Sequence, residues 1–155
     1  MKSFTTTITK AVVLAAISSA ASLAAAAGST TLAVTASVSG NCKFTVASTP
    51  LGFGSIDPSL PGPFTATANV LYRCTKNTAS LGISGITGAH TMNATPVNLT
   101  PLSYTLAISG DTGAGLGFGP GNDLTAVVAG TITAAQVQNV IGTGYSENVT
   151  LNITP

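Results

Sequence analysis

Beyond residue 27, this chain repeats apolar side chains at every second position, in short runs, and nowhere sustains the spacing of a helix. Period two is the geometry of a strand, whose side chains point alternately to the two faces of a sheet. The cleanest run is 31–39, with Leu32, Val34, Ala36 and Val38 on one face and Thr31, Thr35, Ser37 and Ser39 on the other. Gly40-Asn41 breaks it, and 43–46 makes a second short strand. Loops follow at Thr49-Pro50 and from Asp57-Pro58 to Pro61-Gly62-Pro63. A longer strand over 64–73 runs into Cys74, and a short apolar run over 81–83 ends at Gly85. Leu102, Tyr104, Leu106 and Ile108 alternate until Gly110, and 124–133 reads as another strand. Residues 135–139 read as a helical turn, after which Val149, Leu151 and Ile153 alternate with Thr150, Asn152 and Thr154. All 17 glycines and all 8 prolines lie beyond residue 27, amid abundant Thr, Ser and Val. Many short strands set off by turn residues predict an all-β fold, an immunoglobulin-like β-sandwich.

The first 27 residues read differently. Lys2 and Lys10 are the only charges before Lys43, and an apolar stretch from Ala11 to Ile17 continues through Ser and Ala to Ala27. A basic start, an apolar middle and small residues at the end describe a secretory signal peptide over 1–27, cut after Ala26 or Ala27. The competing reading is a membrane anchor, but a span takes about 20 strongly apolar residues and this stretch is short and Ala-rich. Export through the inner membrane places the rest of the chain in an oxidising periplasm. There an even cysteine count reads as a disulfide, and Cys42 and Cys74 allow one intrachain pairing. Closing a loop of roughly 30 residues is worth about 3.5 kcal/mol on the chain-entropy model.

Charge excludes several partners. After residue 27 the cations are Lys43, Arg73 and Lys76, against Asp57, Asp111, Asp123 and Glu147. Nucleic acid needs clustered Lys and Arg to displace counterions, and nothing clusters here, so no nucleic-acid partner is expected. Chemistry is equally sparse. Gly113, Gly115, Gly117, Gly119 and Gly121 lack the spacing of a phosphate loop and no Lys-Ser/Thr follows, so they predict a mobile loop between strands. His90 is the only histidine and has no evident acid or nucleophile beside it, so it reads as a surface residue, not as a general base. Asp57 precedes Pro58 and reads as a turn former whose carboxylate takes nearby backbone amides. Four Asn-x-Thr triplets, at Asn93, Asn98, Asn148 and Asn152, read as chance in a Thr-rich chain. No catalytic residue, metal or cofactor is expected.

Five segments, in order, resemble spore coat U domain proteins, the family that includes subunits of archaic, Csu-type chaperone–usher pili. They are Val34-Thr35-Ala36-Ser37-Val38-Ser39-Gly40-Asn41-Cys42, Leu51-Gly52-Phe53-Gly54-Ser55-Ile56-Asp57-Pro58, Arg73-Cys74-Thr75-Lys76, Leu102-Ser103-Tyr104-Thr105-Leu106 and Gly144-Tyr145-Ser146-Glu147-Asn148-Val149-Thr150-Leu151. The sequence departs from the family pattern at Glu147, where Asp is usual, in its Ile153-Thr154-Pro155 end and in the Gly-rich loop.

The resemblance implies a β-sandwich that lacks its last strand, with 28–40 as an N-terminal extension and 41–155 as the sandwich. Leu32, Val34, Ala36 and Val38 would be the donor strand, laid into a groove of the next subunit. Val149, Leu151 and Ile153 would line the accepting groove, since no further strand follows them. Implied partners are identical or related subunits in a head-to-tail polymer, a periplasmic chaperone that first fills the groove, and an outer-membrane usher. The implied setting is an extracellular pilus serving surface attachment and biofilm formation. The alternatives are a secreted spore-coat or matrix protein assembled without an usher, and a carbohydrate-binding β-sandwich. The last is disfavoured by the absence of Trp and by the placing of Tyr72, Tyr104 and Tyr145 on expected strands.

Overall fold

The structure is a computed structural model that describes residues 28–95, 100–138 and 140–155. The signal-peptide reading of 1–27 falls outside these residues. The chain divides into two units, Met1–Ala36 and Ser37–Pro155. In the first, the described residues lie in no strand and are exposed.

The described residues of the second unit are all-β apart from a single helical turn. Its strands are β1 (Cys42–Phe44), β2 (Phe64–Cys74), β3 (Gly82–Ser84), β4 (Gly88–Thr95), β5 (Leu102–Ser109), β6 (Leu124–Ile132), β7 (Thr143–Ser146) and β8 (Asn152–Thr154), with α1 (Ala134–Val137) between β6 and β7. Six strands form one curled antiparallel sheet in the order β1-β2-β6-β5-β4-β7, and β3 pairs with β8 in a second. The longest ladder joins β2 to β6, from Phe64 opposite Ile132 to Tyr72 opposite Leu124.

The alternation read in the sequence decides which face is inside. In β2, Val70, Tyr72 and Cys74 are buried while Thr65, Thr67 and Asn69 face solvent. In β5, Leu102, Tyr104 and Leu106 are buried between exposed Ser103, Thr105 and Ala107, and in β6 Ala126, Val128 and Ile132 point the same way. Fully burying one such Val or Leu contributes roughly 1.5–3 kcal/mol. A one-residue slip in any ladder would turn this whole set to water, so the pattern also fixes the register. Cys42 and Cys74 are direct partners in the β1–β2 ladder, with Cα atoms 4.1 Å apart, and they form the disulfide.

Several expectations need revising. The Gly-rich segment is a loop between β5 and β6, but it is pinned. Gly115 N–H donates to Thr78 O at 2.7 Å and Gly117 N–H to Cys74 O at 3.0 Å. A side chain at Gly115 would collide with the carbonyl oxygen of Thr75, so the close approach itself demands glycine. Arg73 clamps the far end. Its Nε and Nη2 each reach a carboxylate oxygen of Asp123 at 2.8 Å, and Nη1 donates to Phe118 O at 3.1 Å. The same contact holds the Asp123 carboxyl below the ordinary carboxylate range.

Residues 31–39 lie in no ladder. Of the closing run, β8 takes only Asn152–Thr154, and 147–151 stay outside both sheets. Both β4 and β7, in contrast, are strands that period two does not announce. Asp57 behaves as expected: Ser59 N–H and Ser59 Oγ donate to its Oδ1 at 2.9 and 2.7 Å, which lowers its pKa.

Candidate functional site

A groove of about 760 Å³ runs along the inward sheet face, and Val70, Tyr104, Leu106 and Val128 on its floor keep only a few per cent of their surface exposed. Its floor comes from four strands: Ala68 and Val70 of β2, Val128 of β6, Tyr104 and Leu106 of β5, and Met92 of β4. Ile86, in the β3–β4 connection, adds to it. Two segments outside those strands supply the rest. One is 44–53, with Phe44, Val46, Leu51 and Phe53; the other is 145–151, with Tyr145, Val149 and Leu151. Phe53 meets Tyr104 edge to face, ring centroids 5.9 Å apart, and its ring also lies over Gly130 of β6. Gly130 carries no Cβ there because one would stand 2.7 Å from Phe53 Cζ.

The backbone of both flanking segments is underused. Residues 46–51 and 147–151 make no backbone hydrogen bond to another described residue. Such edges, beside an apolar floor, are the template on which another strand can add.

The segment 145–151 is held at its start by polar contacts. Tyr145 Oη donates to Thr100 O at 3.1 Å. The Glu147 carboxylate accepts from Tyr104 Oη at 2.8 Å and from Thr91 N–H at 3.2 Å, through the same oxygen, Oε2. His90 Nδ1 stands 3.5 Å from Glu147 Oε1, and His90 Nε2 is 2.7 Å from Ile86 O. Far from being a loose surface residue, His90 is mostly covered, with its ring against Tyr104. Its neighbours are an acid and a phenol, with no nucleophile among them.

Burial, then the hydrogen bond and charge of Glu147, raise the Tyr104 phenol well above its ordinary 10.0. Tyr72 is raised too, by burial and then by Asp111. A group whose pKa is higher folded than unfolded contributes stability that is complete below the unfolded value and is lost as pH rises toward the folded one. Urea unfolding stepped between about pH 8 and 11 should therefore show a flat midpoint that falls beyond about pH 10. Tyr104→Phe should lower the plateau and shallow that fall. An unchanged fall would show that Tyr104 does not couple to folding.

Of the residues singled out from sequence, Val149 and Leu151 line the groove. Ile153 does not; it sits in β8 opposite Ile83, where the ladder to β3 takes it. Leu32, Val34, Ala36 and Val38 are all exposed, the three larger ones by 83, 80 and 86%. Cys42 and Cys74 are buried at the β1–β2 end of the sheet. Sequence reading did not find the groove's floor, Phe53 over Gly130, or the Glu147 contacts. Only the alternation in β2, β5 and β6 pointed inward, and it does not tell a covered face from an open one. No set of His, Cys, Asp and Glu suited to a metal ion occurs among the described residues. Comparisons with protein-family models, curated proteins and solved structures return no match to this chain.

Proposed function

We propose that this chain is a structural subunit that polymerises head to tail by strand addition, in the manner of an archaic chaperone–usher pilin. Residues 31–39 of one copy fill the groove of the next and complete an immunoglobulin-like sandwich there. The observation that carries this reading is the groove of about 760 Å³ along the sheet, apolar at its floor and flanked by 46–51 and 147–151 with their backbone groups unused. The same molecule carries a matching insert. From Leu32 to Val38 the segment spans about 20 Å as a strand, with its apolar residues on one face. Leaving three large apolar side chains exposed on one short segment is unfavourable in water, and seating them in a neighbour removes that cost. Before assembly a periplasmic chaperone lends a strand to the groove, and an outer-membrane usher exchanges it for the next subunit's extension. Export, with 1–27 as the signal, supplies the oxidising compartment that the disulfide requires.

A chain beginning at Gly40 tests the reading. With its groove empty it should be marginally stable and self-associate at high concentration, and a synthetic peptide of residues 31–39 should convert it to a stable, cooperatively folding monomer. A truncated chain that is already monomeric and cooperative, and is indifferent to the peptide, would count against strand addition.

A further inference from the structure

The geometry points to Glu147 as the residue that stops the β4–β7 ladder and thereby keeps the backbone of 148–151 available beside the groove. β4 and β7 pair at Asn93 opposite Ser146, and continuing that register would set Thr91 against Asn148. The continuation does not happen. The Thr91 N–H, which lies on the β7 side of β4, goes to Glu147 Oε2 at 3.2 Å. The carboxylate takes the place that a backbone carbonyl of 148 would take in the ladder. Tyr104 Oη, reaching across from β5, donates to the same oxygen and fixes it.

With its partner strand capped in this way, the chain leaves the main sheet at 147 and crosses to β3, where β8 pairs. Val149 and Leu151 then line the groove with their backbone groups unengaged. Were the ladder to run on, the backbone groups of 148 and 150 would be spent on β4, with those of 149 and 151 facing away from it. Glu147 leaves all four residues outside the sheet, where Val149 and Leu151 line the groove. A glutamine fits the same arrangement, since its amide oxygen in the place of Oε2 can accept from both Thr91 N–H and Tyr104 Oη while its NH₂ faces His90 Nδ1. An alanine leaves Thr91 N–H without a partner, and an unsatisfied amide favours the backbone carbonyl next to it.

The inference deepens the strand-addition reading, but its structural half can be tested apart from it. Full-length mature chain carrying Val34→Asp, whose own extension cannot donate, serves as background. Glu147→Ala and Glu147→Gln are added, and two quantities are read: amide hydrogen exchange, and binding of a dye-labelled peptide of residues 31–39. In Glu147→Ala the Asn148 amide should exchange about tenfold more slowly than in the background, as the ladder closes on it. The same variant should bind the peptide about tenfold more weakly. Glu147→Gln should restore both toward the background. If Glu147→Ala leaves Asn148 exchange unchanged, Glu147 is not a ladder stop and the inference falls. If exchange slows as expected but the background itself never binds the peptide, the ladder stop stands and strand addition falls. Slowed exchange with peptide affinity within about twofold of the background overturns the link between the edge and uptake.

Discussion

Val34→Asp is expected to abolish head-to-tail assembly, and Thr35→Asp, one residue along, to leave it close to the parental level. Val34 shares its face with Leu32, Ala36 and Val38, and in the free extension it is exposed, so the substitution removes nothing from the subunit's own core. In a neighbour it would meet Val70, Leu106 and Val128, a floor with no group to pair a carboxylate. The lost burial is worth about 1.5–3 kcal/mol, and placing an unpaired charge against that floor costs more. Thr35 sits on the opposite face, so its charge would stay in water. The readout is the ladder of heat-resistant oligomers on an unheated denaturing gel, with the chaperone-bound subunit as the control for folding. If Val34→Asp destroys the chaperone-bound subunit, residues 31–39 belong to its own sheet. If both variants assemble normally, this segment is not the connector.

Cys74→Ser is expected to have the largest effect on the subunit itself. Cys74 is fully buried, lies directly opposite Cys42, and its carbonyl accepts from Gly117 N–H, so the bridge joins the β1–β2 ladder where the pinned loop returns. Removing such a bridge from a small secreted domain costs about 2–5 kcal/mol, and here it also leaves a hydroxyl in an apolar site. Chemical denaturation should show the loss, with lower yield of soluble protein from the periplasm. A variant as stable as the parent would show that the β1 end is held by packing alone.

The strands legible in the sequence are those with one wet and one buried face. In β2, β5 and β6, Thr, Ser and Asn alternate with Val, Leu and Tyr, and the structure keeps each alternation. The disulfide was legible because two cysteines allow one intrachain pairing. β4 was not, for a physical reason: it reads Gly-Ala-His-Thr-Met-Asn-Ala-Thr and buries only Ala94 fully. Its place is set by the β5 ladder and by Glu147 rather than by an apolar stripe. The run at Val149, Leu151 and Ile153 has strand periodicity, yet only its end finds a ladder, because a partner is a property of the whole fold. The groove was hidden for the same reason. Its floor gathers residues from strands far apart in sequence, and Glu147, read alone, was a variation on an expected Asp.

The β2–β6 ladder carries a consequence for time. It sets Phe64 against Ile132, so the centre of the sheet cannot form until most of the chain has been made and brought round. The entropy of closing so long a loop must be met before any contact in the ladder returns it, which makes sheets of this kind slow to assemble. Meanwhile the inward faces of β2, β5 and β6 stand uncovered, and a stray edge can pair with the wrong neighbour. How many chains reach the finished fold then depends on how long that interval lasts, and whatever shortens or shields it raises yield without adding to the stability of that fold.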